Sequence, residues 1–336
     1  MLLYSVLAVP LFFVLYLVLP FIFERFPRLY RSFVFKPKDE WGNKEEHFTC
    51  FEKHQLSSAS ARNFYVETTD TCDKLGVWHV LPFEHEIASG IKRFDLGDFD
   101  KALSCGAPIF LYFHGNTKTR SVPWRVDIYK LLSAAGYNVI TFDYRGYGDS
   151  SGHMTAESDC VYDSLAVLKF IYDHCGSSPV FFWGHSLGTG IVGSLVRHLL
   201  EQRERYSSNI PLPRGIILDA PFTCLAHVMM SRKSMWAYRV VPQMRKKVAT
   251  IASNLKVEFD TQNNLSGCPV PILILHAKDD PLVPFRLGAQ LAESLQENSP
   301  VQFVSFEADR GYRHNFIHTA PEIPQIVKKF VADCTT

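Results

Sequence analysis

Val180-Phe181-Phe182-Trp183-Gly184-His185-Ser186-Leu187-Gly188-Thr189-Gly190 is the stretch that decides the fold. Four large apolar side chains form a short β-rich run, and a helix-length segment follows over 188–205. Between them lies G-x-S-x-G, in the strand-turn-helix context that a nucleophile elbow requires. A serine on such a turn is lifted clear of both elements. The flanking glycines, 184 and 188, remove the Cβ atoms that would clash where strand and helix cross. The helix beginning at Leu187 also aims free N–H groups and its positive dipole end at the same spot. Ser186 is therefore the expected nucleophile, and the Leu187 N–H one expected donor to an oxyanion. Glycines 184, 188 and 190 do not fit the G-x-G-x-x-G spacing of a dinucleotide site.

Outward from this elbow, short buried runs alternate with helix-length segments. The runs are Val77 to Leu81, Pro108 to Phe113, Asn138 to Phe142, Gly215 to Leu218, Pro269 to Leu275 and Val301 to Phe306. The helical segments cover 122–135, 158–173, 188–205, 285–296 and 321–332. This rhythm predicts a mostly parallel central sheet with helices on both faces. Together with the elbow it specifies the α/β-hydrolase fold, with a catalytic domain over 61–336. Residues 222–266 interrupt the rhythm between two core strands, where such folds carry a lid. Met229, Met230, Met235, Trp236 and Tyr238 stand there among Arg232, Lys233, Arg239, Arg245, Lys246 and Lys247. The mixture suits a lipid- or membrane-facing cap, or else an ordinary helix with a solvated face.

A serine hydroxyl is a weak nucleophile at neutral pH and needs a histidine base oriented by a carboxylate. In this fold they follow in the order Ser, Asp, His. The run ending in His276-Ala277-Lys278-Asp279-Asp280-Pro281 offers Asp280, with Asp279 as a solvated turn residue and Asp219, after another strand, as an alternative acid. His314, beyond the last strand, is the expected base; His318 and His276 read as structural. The second oxyanion donor falls in His114-Gly115-Asn116, after the run Ile109 to Phe113, on the backbone N–H of Asn116. His114 itself reads as a turn residue.

Residues 1–23 carry no charged side chain and as a helix would extend about 34 Å, enough to cross a bilayer core. They are the expected membrane anchor, the alternatives being a cleaved signal peptide or a buried helix. Residues 24–60 read as a juxtamembrane linker. Arg25, Arg28, Arg31, Lys36 and Lys38 follow the span and by the positive-inside rule would stay cytosolic. With 35 basic against 34 acidic side chains there is no electrostatic footprint for nucleic acid. The eight cysteines form no C-x-x-C pair, so neither a zinc site nor any other metal is expected. Cys50 and Cys72 could bridge in an oxidising lumen, and Asn264-Leu265-Ser266 is the single glycosylation sequon.

The resemblance then becomes specific. Phe113-His114-Gly115-Asn116, the run Phe142 to Ser150, the elbow, the run His276 to Pro284 and Gly311-Tyr312-Arg313-His314 resemble the membrane-anchored α/β-hydrolase-domain lipases that cleave lysophosphatidylserine and monoacylglycerol. Phe26-Pro27-Arg28 and Gly76-Val77-Trp78-His79 extend the likeness over about 24–330. The resemblance implies a triad of Ser186, Asp280 and His314 and a single-pass protein of the endoplasmic reticulum with a luminal catalytic domain; no cofactor is expected. Lys118 departs from it, standing where the family's H-G-N-x-G turn has its second glycine. The apolar run also starts at Met1, where the family has a longer tail.

The activity expected is hydrolysis of lysophospholipid or monoacylglycerol esters, with a lipid as the partner, Arg239 and Arg245 of the lid meeting its head group, and no protein partner specified. A protein depalmitoylase and a non-catalytic binding module on the same scaffold are the rivals. A dehalogenase or epoxide hydrolase would carry aspartate where Ser186 stands.

Overall fold

The computed structural model describes residues 18, 21–37, 44–83, 96–206, 210–232, 235 and 242–335. Eight strands form one sheet: β1 (Ala61–Glu67), β2 (Lys74–Val80), β3 (Ile109–Phe113), β4 (Asn138–Phe142), β5 (Val180–His185), β6 (Gly215–Asp219), β7 (Ile272–Ala277) and β8 (Val301–Phe306). Their spatial order is β1-β2-β4-β3-β5-β6-β7-β8. β2 pairs antiparallel with β1 and β4, and the pairs from β3–β4 to β7–β8 are parallel.

The helices are α1 (Pro27–Val34), α2 (Lys44–Thr49), α3 (Leu96–Ser104), α4 (Pro123–Ala134), α5 (Glu157–His174), α6 (Leu187–Tyr206), α7 (Leu225–Ser231), α8 (Pro242–Asn254), α9 (Thr261–Leu265), α10 (Phe285–Gln296) and α11 (Ile323–Thr335). Central strands covered on both sides have no polar face, which is why β3 reads Ile-Phe-Leu-Tyr-Phe without alternation. Ile109, Leu111 and Phe113 join α5, α6 and α10 through Val167, Leu195 and Leu291. Phe110 and Tyr112 point the other way, towards Tyr129 of α4 and Phe330 of α11.

Six expected runs became β3 to β8. β7 starts at Ile272 rather than Pro269, because Pro269 and Pro271 have no N–H to give to a ladder. β2 begins earlier than expected, at Lys74, and β1 was not expected as a strand: it is an edge with a half-buried pattern and leaves little periodic signal.

Residues 24–60 differ from the linker expected of them. Tyr30, Val34 and Phe35 are buried in one core, and Phe48, Phe51 and Leu56 in the other. The Trp78 indole N–H donates to Phe48 C=O at 2.9 Å, tying α2 to β2. These helices are eight and six residues long, too short for a 3.6-residue period to show in sequence.

Most of the expected anchor lies outside the described residues. Among those described, no helix is long and apolar enough to cross a membrane. The segment 222–266 joins β6 to β7 and holds α7, α8 and α9; Trp236, Tyr238 and Arg239 fall outside the described residues, and Arg245 lies on α8. All eight cysteines are free, so Cys50 and Cys72 do not bridge. The Asn264 amide donates to Ser194 Oγ at 3.2 Å, which ties the sequon residue to α6.

Candidate active site

β5 delivers Ser186 to the end of the sheet, and the turn into α6 holds it at φ +53°. An L-residue there carries roughly 1–2 kcal/mol of strain, sustained only where the surroundings leave no alternative. They leave none here. A Cβ on Gly188 would lie 2.0 Å from Phe113 C=O, and one on Gly184 would lie 2.6 Å from Gly188 C=O. The Ser186 N–H donates to Asp219 C=O at 3.0 Å, fastening the elbow to β6.

The two expected partners meet this serine from neighbouring strand ends. Nε2 of His314 is 2.9 Å from Ser186 Oγ, and Nδ1 of the same ring is 2.7 Å from Asp280 Oδ2. A carboxylate only accepts, so the proton between them sits on Nδ1, which leaves the Nε2 lone pair for the serine hydroxyl. Asp280 Oδ1 accepts from the N–H groups of Leu282 and Val283 at 2.8 and 2.9 Å, the D-x-x-V turn closing on itself. Burial alone would raise the Asp280 pKa, but the rings of His276 and His314 and the Val283 N–H outweigh it and hold the carboxyl far below the usual range. The acid is thus ionised wherever the base works.

Asp219, the alternative acid, has no histidine ring or turn N–H on its carboxylate among the described residues. Burial, with Asp280 nearby, pushes its carboxyl up to about 8, and one of its oxygens is buried without a hydrogen bond. Asp279 is spent on backbone, accepting from the Arg313 N–H. His276 Nε2 donates to Val283 C=O at 3.0 Å, and His318 is buried with its Nε2 4.0 Å from Asp127.

The turn after β3 crosses in front of the nucleophile: a Cβ on Gly115 would lie 3.3 Å from Ser186 Cβ. The Asn116 N–H belongs to the peptide whose carbonyl is Gly115 C=O, and that carbonyl accepts from His114 Nδ1 at 2.7 Å. In a trans peptide C=O and N–H point oppositely, so fixing one aims the other. Asn116 N–H has no acceptor among the described residues, and Leu187 N–H precedes the first intrahelical bond of α6. Further along, Lys118 stands at φ +61°. The backbone therefore keeps the left-handed shape a glycine would favour, and the ammonium lies 5.0 Å over the Trp124 ring. Arg125 supports the far side, donating to Thr117 C=O at 2.7 Å and to Thr119 C=O.

Sequence reasoning missed two supports. His185, the second residue of the pentapeptide, donates through Nε2 to His314 C=O at 2.9 Å. Burial, and the neighbouring His314, push its pKa down to about 3, so it stays a neutral donor. Its position inside the elbow was the available signal. The run Phe142 to Ser150 entered only as a likeness, yet Tyr144 donates to His114 C=O at 3.1 Å and Tyr147 to Asn116 C=O at 3.0 Å. Asp143, below them, is buried with Arg120 and His114. Of the two expected head-group residues, Arg239 lies outside the described residues and Arg245 on α8. Among the described residues no group of three His, Cys, Asp or Glu side chains could hold a metal ion.

Residues 108–203 match the model of the alpha/beta hydrolase fold family. An esterase of Pyrococcus furiosus superposes with a TM-score of 0.58 at 19% identity, covering 90% of this chain and 97% of its own. Est1E from Butyrivibrio proteoclasticus, solved with ferulic acid, gives 0.56 at 16% identity over 81% and 99%. Both likenesses concern the fold. In sequence, the lysophosphatidylserine lipase ABHD12 of Xenopus tropicalis is 35% identical over 338 residues, which cover 95% of this chain and 80% of that protein. Its counterpart from Rattus norvegicus is 38% identical over 275 residues, 80% of this chain and 66% of the relative. The human protein ABHD12B is 31% identical over 285 residues, 84% and 75%. With identity above 30% over nearly its whole length, this chain belongs to the ABHD12 family of α/β-hydrolases.

Proposed function

We propose that this chain is a serine hydrolase that cleaves carboxylic esters of lipids, above all lysophospholipids such as lysophosphatidylserine and also monoacylglycerols, through an acyl-enzyme on Ser186. The observation that carries the reading is the continuous run from Ser186 Oγ through His314 to Asp280, at 2.9 and 2.7 Å. The names of the relatives support the substrate class.

In the proposed cycle Nε2 of His314 takes the Ser186 proton as Oγ bonds to the ester carbonyl carbon. The N–H groups of Asn116 and Leu187 stabilise the negative oxygen, one such donor typically contributing roughly 10²–10³ in rate. His314 returns the proton to the departing glycerol oxygen, and water repeats the sequence to release the fatty acid. Asp280 keeps the ring in the productive tautomer and stabilises its charged form.

The central test is a fluorophosphonate probe, which should label the parent and not Ser186→Ala, because only an activated serine attacks phosphorus quickly at neutral pH. Equal labelling of both would end the proposal. Activity on an acylated peptide but none on lysophospholipid would favour the depalmitoylase reading, and labelling without turnover of either would favour the binding module.

The proposed location is the endoplasmic reticulum membrane, through a single span over residues 1–23. The family resemblance supports a luminal catalytic domain, and the basic residues from 25 to 38 a cytosolic one. Protease protection on sealed microsomes separates the two sides, and release by alkaline wash would end the span.

A further inference from the structure

We propose that Tyr147 and the backbone of Lys36 are positioning residues of the oxyanion turn, which makes the segment following α1 a working part of the active site. This rests on the reading of Asn116 as an oxyanion donor.

Gly146, at φ +81°, turns the chain after Arg145 so that Tyr147 enters the interior, where its side chain is wholly buried. Its hydroxyl has one proton to give and gives it to Asn116 C=O at 3.0 Å; it accepts in return from the Lys36 N–H, also at 3.0 Å. The Lys36 N–H reaches the same Asn116 C=O at 3.1 Å, and Lys36 forms a parallel bridge with Thr117. The three groups close a triangle around one carbonyl. With Tyr144 on His114 C=O and His114 on Gly115 C=O, all three carbonyls of the turn 114–116 have a protein donor. A peptide held by both neighbours has no freedom to rotate, so the Asn116 N–H stays aimed where charge develops without reorganising as it does so.

The clamp is firm because its outer half is itself anchored. Tyr30 on α1 is buried and its hydroxyl meets Met229 Sδ of α7 at 3.5 Å. Phe35, one residue before Lys36, packs edge-on against Phe259 at 6.1 Å between ring centroids. Lys36 is thus fixed from outside the catalytic sheet, by a segment that enters the fold from the N-terminal side.

Two variants of the full chain test the assignment. Tyr147→Phe removes the hydroxyl and nothing else. Lys36→Pro removes the N–H, and Phe35, at φ −100° and ψ 119°, already has the extended backbone a following proline requires. Because the donor is loosened rather than deleted, kcat on p-nitrophenyl butyrate should fall about tenfold while KM stays within about twofold. Affinity for a trifluoromethyl ketone, whose adduct with Ser186 places an oxyanion in the hole, should fall by the same factor. The acid limb of the pH–rate profile should not move, since His314 and Asp280 are untouched. Ser32→Ala, on the exposed side of α1, should match the parent.

A merely structural role would lower melting temperature without this kcat, KM and adduct pattern, and would overturn the proposal. So would parental kcat in both variants. If Tyr147→Phe fails to fold, Lys36→Pro decides by the same criteria. Hydrolysis by Ser186→Ala would instead sink the reading of the site itself, whereas a dead Ser186→Ala beside two fully active variants sinks only this assignment.

Discussion

The backbone N–H of Arg313 donates to both carboxylate oxygens of Asp279, at 3.0 and 3.1 Å, while the next side chain along each segment makes the Asp280–His314 contact at 2.7 Å. Two adjacent acids after β7 therefore serve two adjacent residues after β8. Asp279 holds the loop, with Arg313 in the left-handed region at φ +51°, and Asp280 orients the ring.

This separation predicts a ranking. Asp280→Asn should lower kcat by roughly 10³–10⁴, because an amide favours the wrong imidazole tautomer and cannot stabilise the imidazolium. Asp279→Asn keeps an acceptor for Arg313 and should cost about tenfold or less, the scale of losing charge from a partly exposed hydrogen bond. Steady-state kinetics on a soluble ester give both numbers, and the reverse order would move the acid to Asp279.

What was legible in the sequence follows from how locally each feature is encoded. Ser186 announced itself because its strand, its glycines and its helix are contiguous, and each has its own signal. Asp280 and His314 were readable from order and strand ends. Their supports were not, since His185 to His314 and Tyr147 to Asn116 are contacts across 129 and 31 residues, which no single-sequence pattern encodes. The segment 24–60 was misread for a related reason. Its buried residues, such as Tyr30 and Phe48, are few and packed against remote strands, so composition made a packed element look like a linker.

Asp219 provides a pH test. Its folded pKa of about 8 lies above the ordinary carboxylate value near 3.9, so between these pH values the folded chain holds a proton that the unfolded chain has lost. This site therefore costs stability progressively as pH rises from about 4 to about 8. Below that window both states are protonated and the effect vanishes. Asp219→Asn, neutral throughout, should melt with the parent near pH 4 and at least about 2 °C higher at pH 9, the shift roughly 1 kcal/mol produces in a large domain. Equal melting temperatures at both ends would show that Asp219 is ionised in the folded chain.

At Lys118 side-chain chemistry and backbone pull apart, the residue standing at φ +61°. Left-handed φ costs a non-glycine residue roughly 1–2 kcal/mol, and the Trp124 contact returns about 0.5–1 at an exposed site. Lys118→Gly should therefore keep parental kcat and stay within about 1 kcal/mol in stability. Lys118→Val, β-branched and ill-suited to positive φ, should destabilise the chain and lower kcat by displacing the oxyanion turn. A fully active and stable Lys118→Val would mean that this loop has no part in holding Asn116.

The last prediction concerns the insertion between β6 and β7, where six basic positions from 232 to 247 accompany Met and aromatic side chains. A lysophospholipid has matching parts: one acyl chain and an anionic phosphate. If Arg239 and Arg245 meet the phosphate, changing both to Gln should raise KM for an anionic lysophospholipid and leave a neutral monoacylglycerol nearly unaffected. Arginine grips phosphate through two parallel N–H donors, which distinguishes these positions from the neighbouring lysines. A partly exposed charge contact contributes about 1 kcal/mol, so roughly a fivefold change per effective contact is expected. Should the patch bind an anionic membrane surface instead, both substrates will lose rate on acidic vesicles and neither in detergent. Unchanged preference in both media would leave the patch as a solvated face, and head-group selection would then belong to groups beside Ser186.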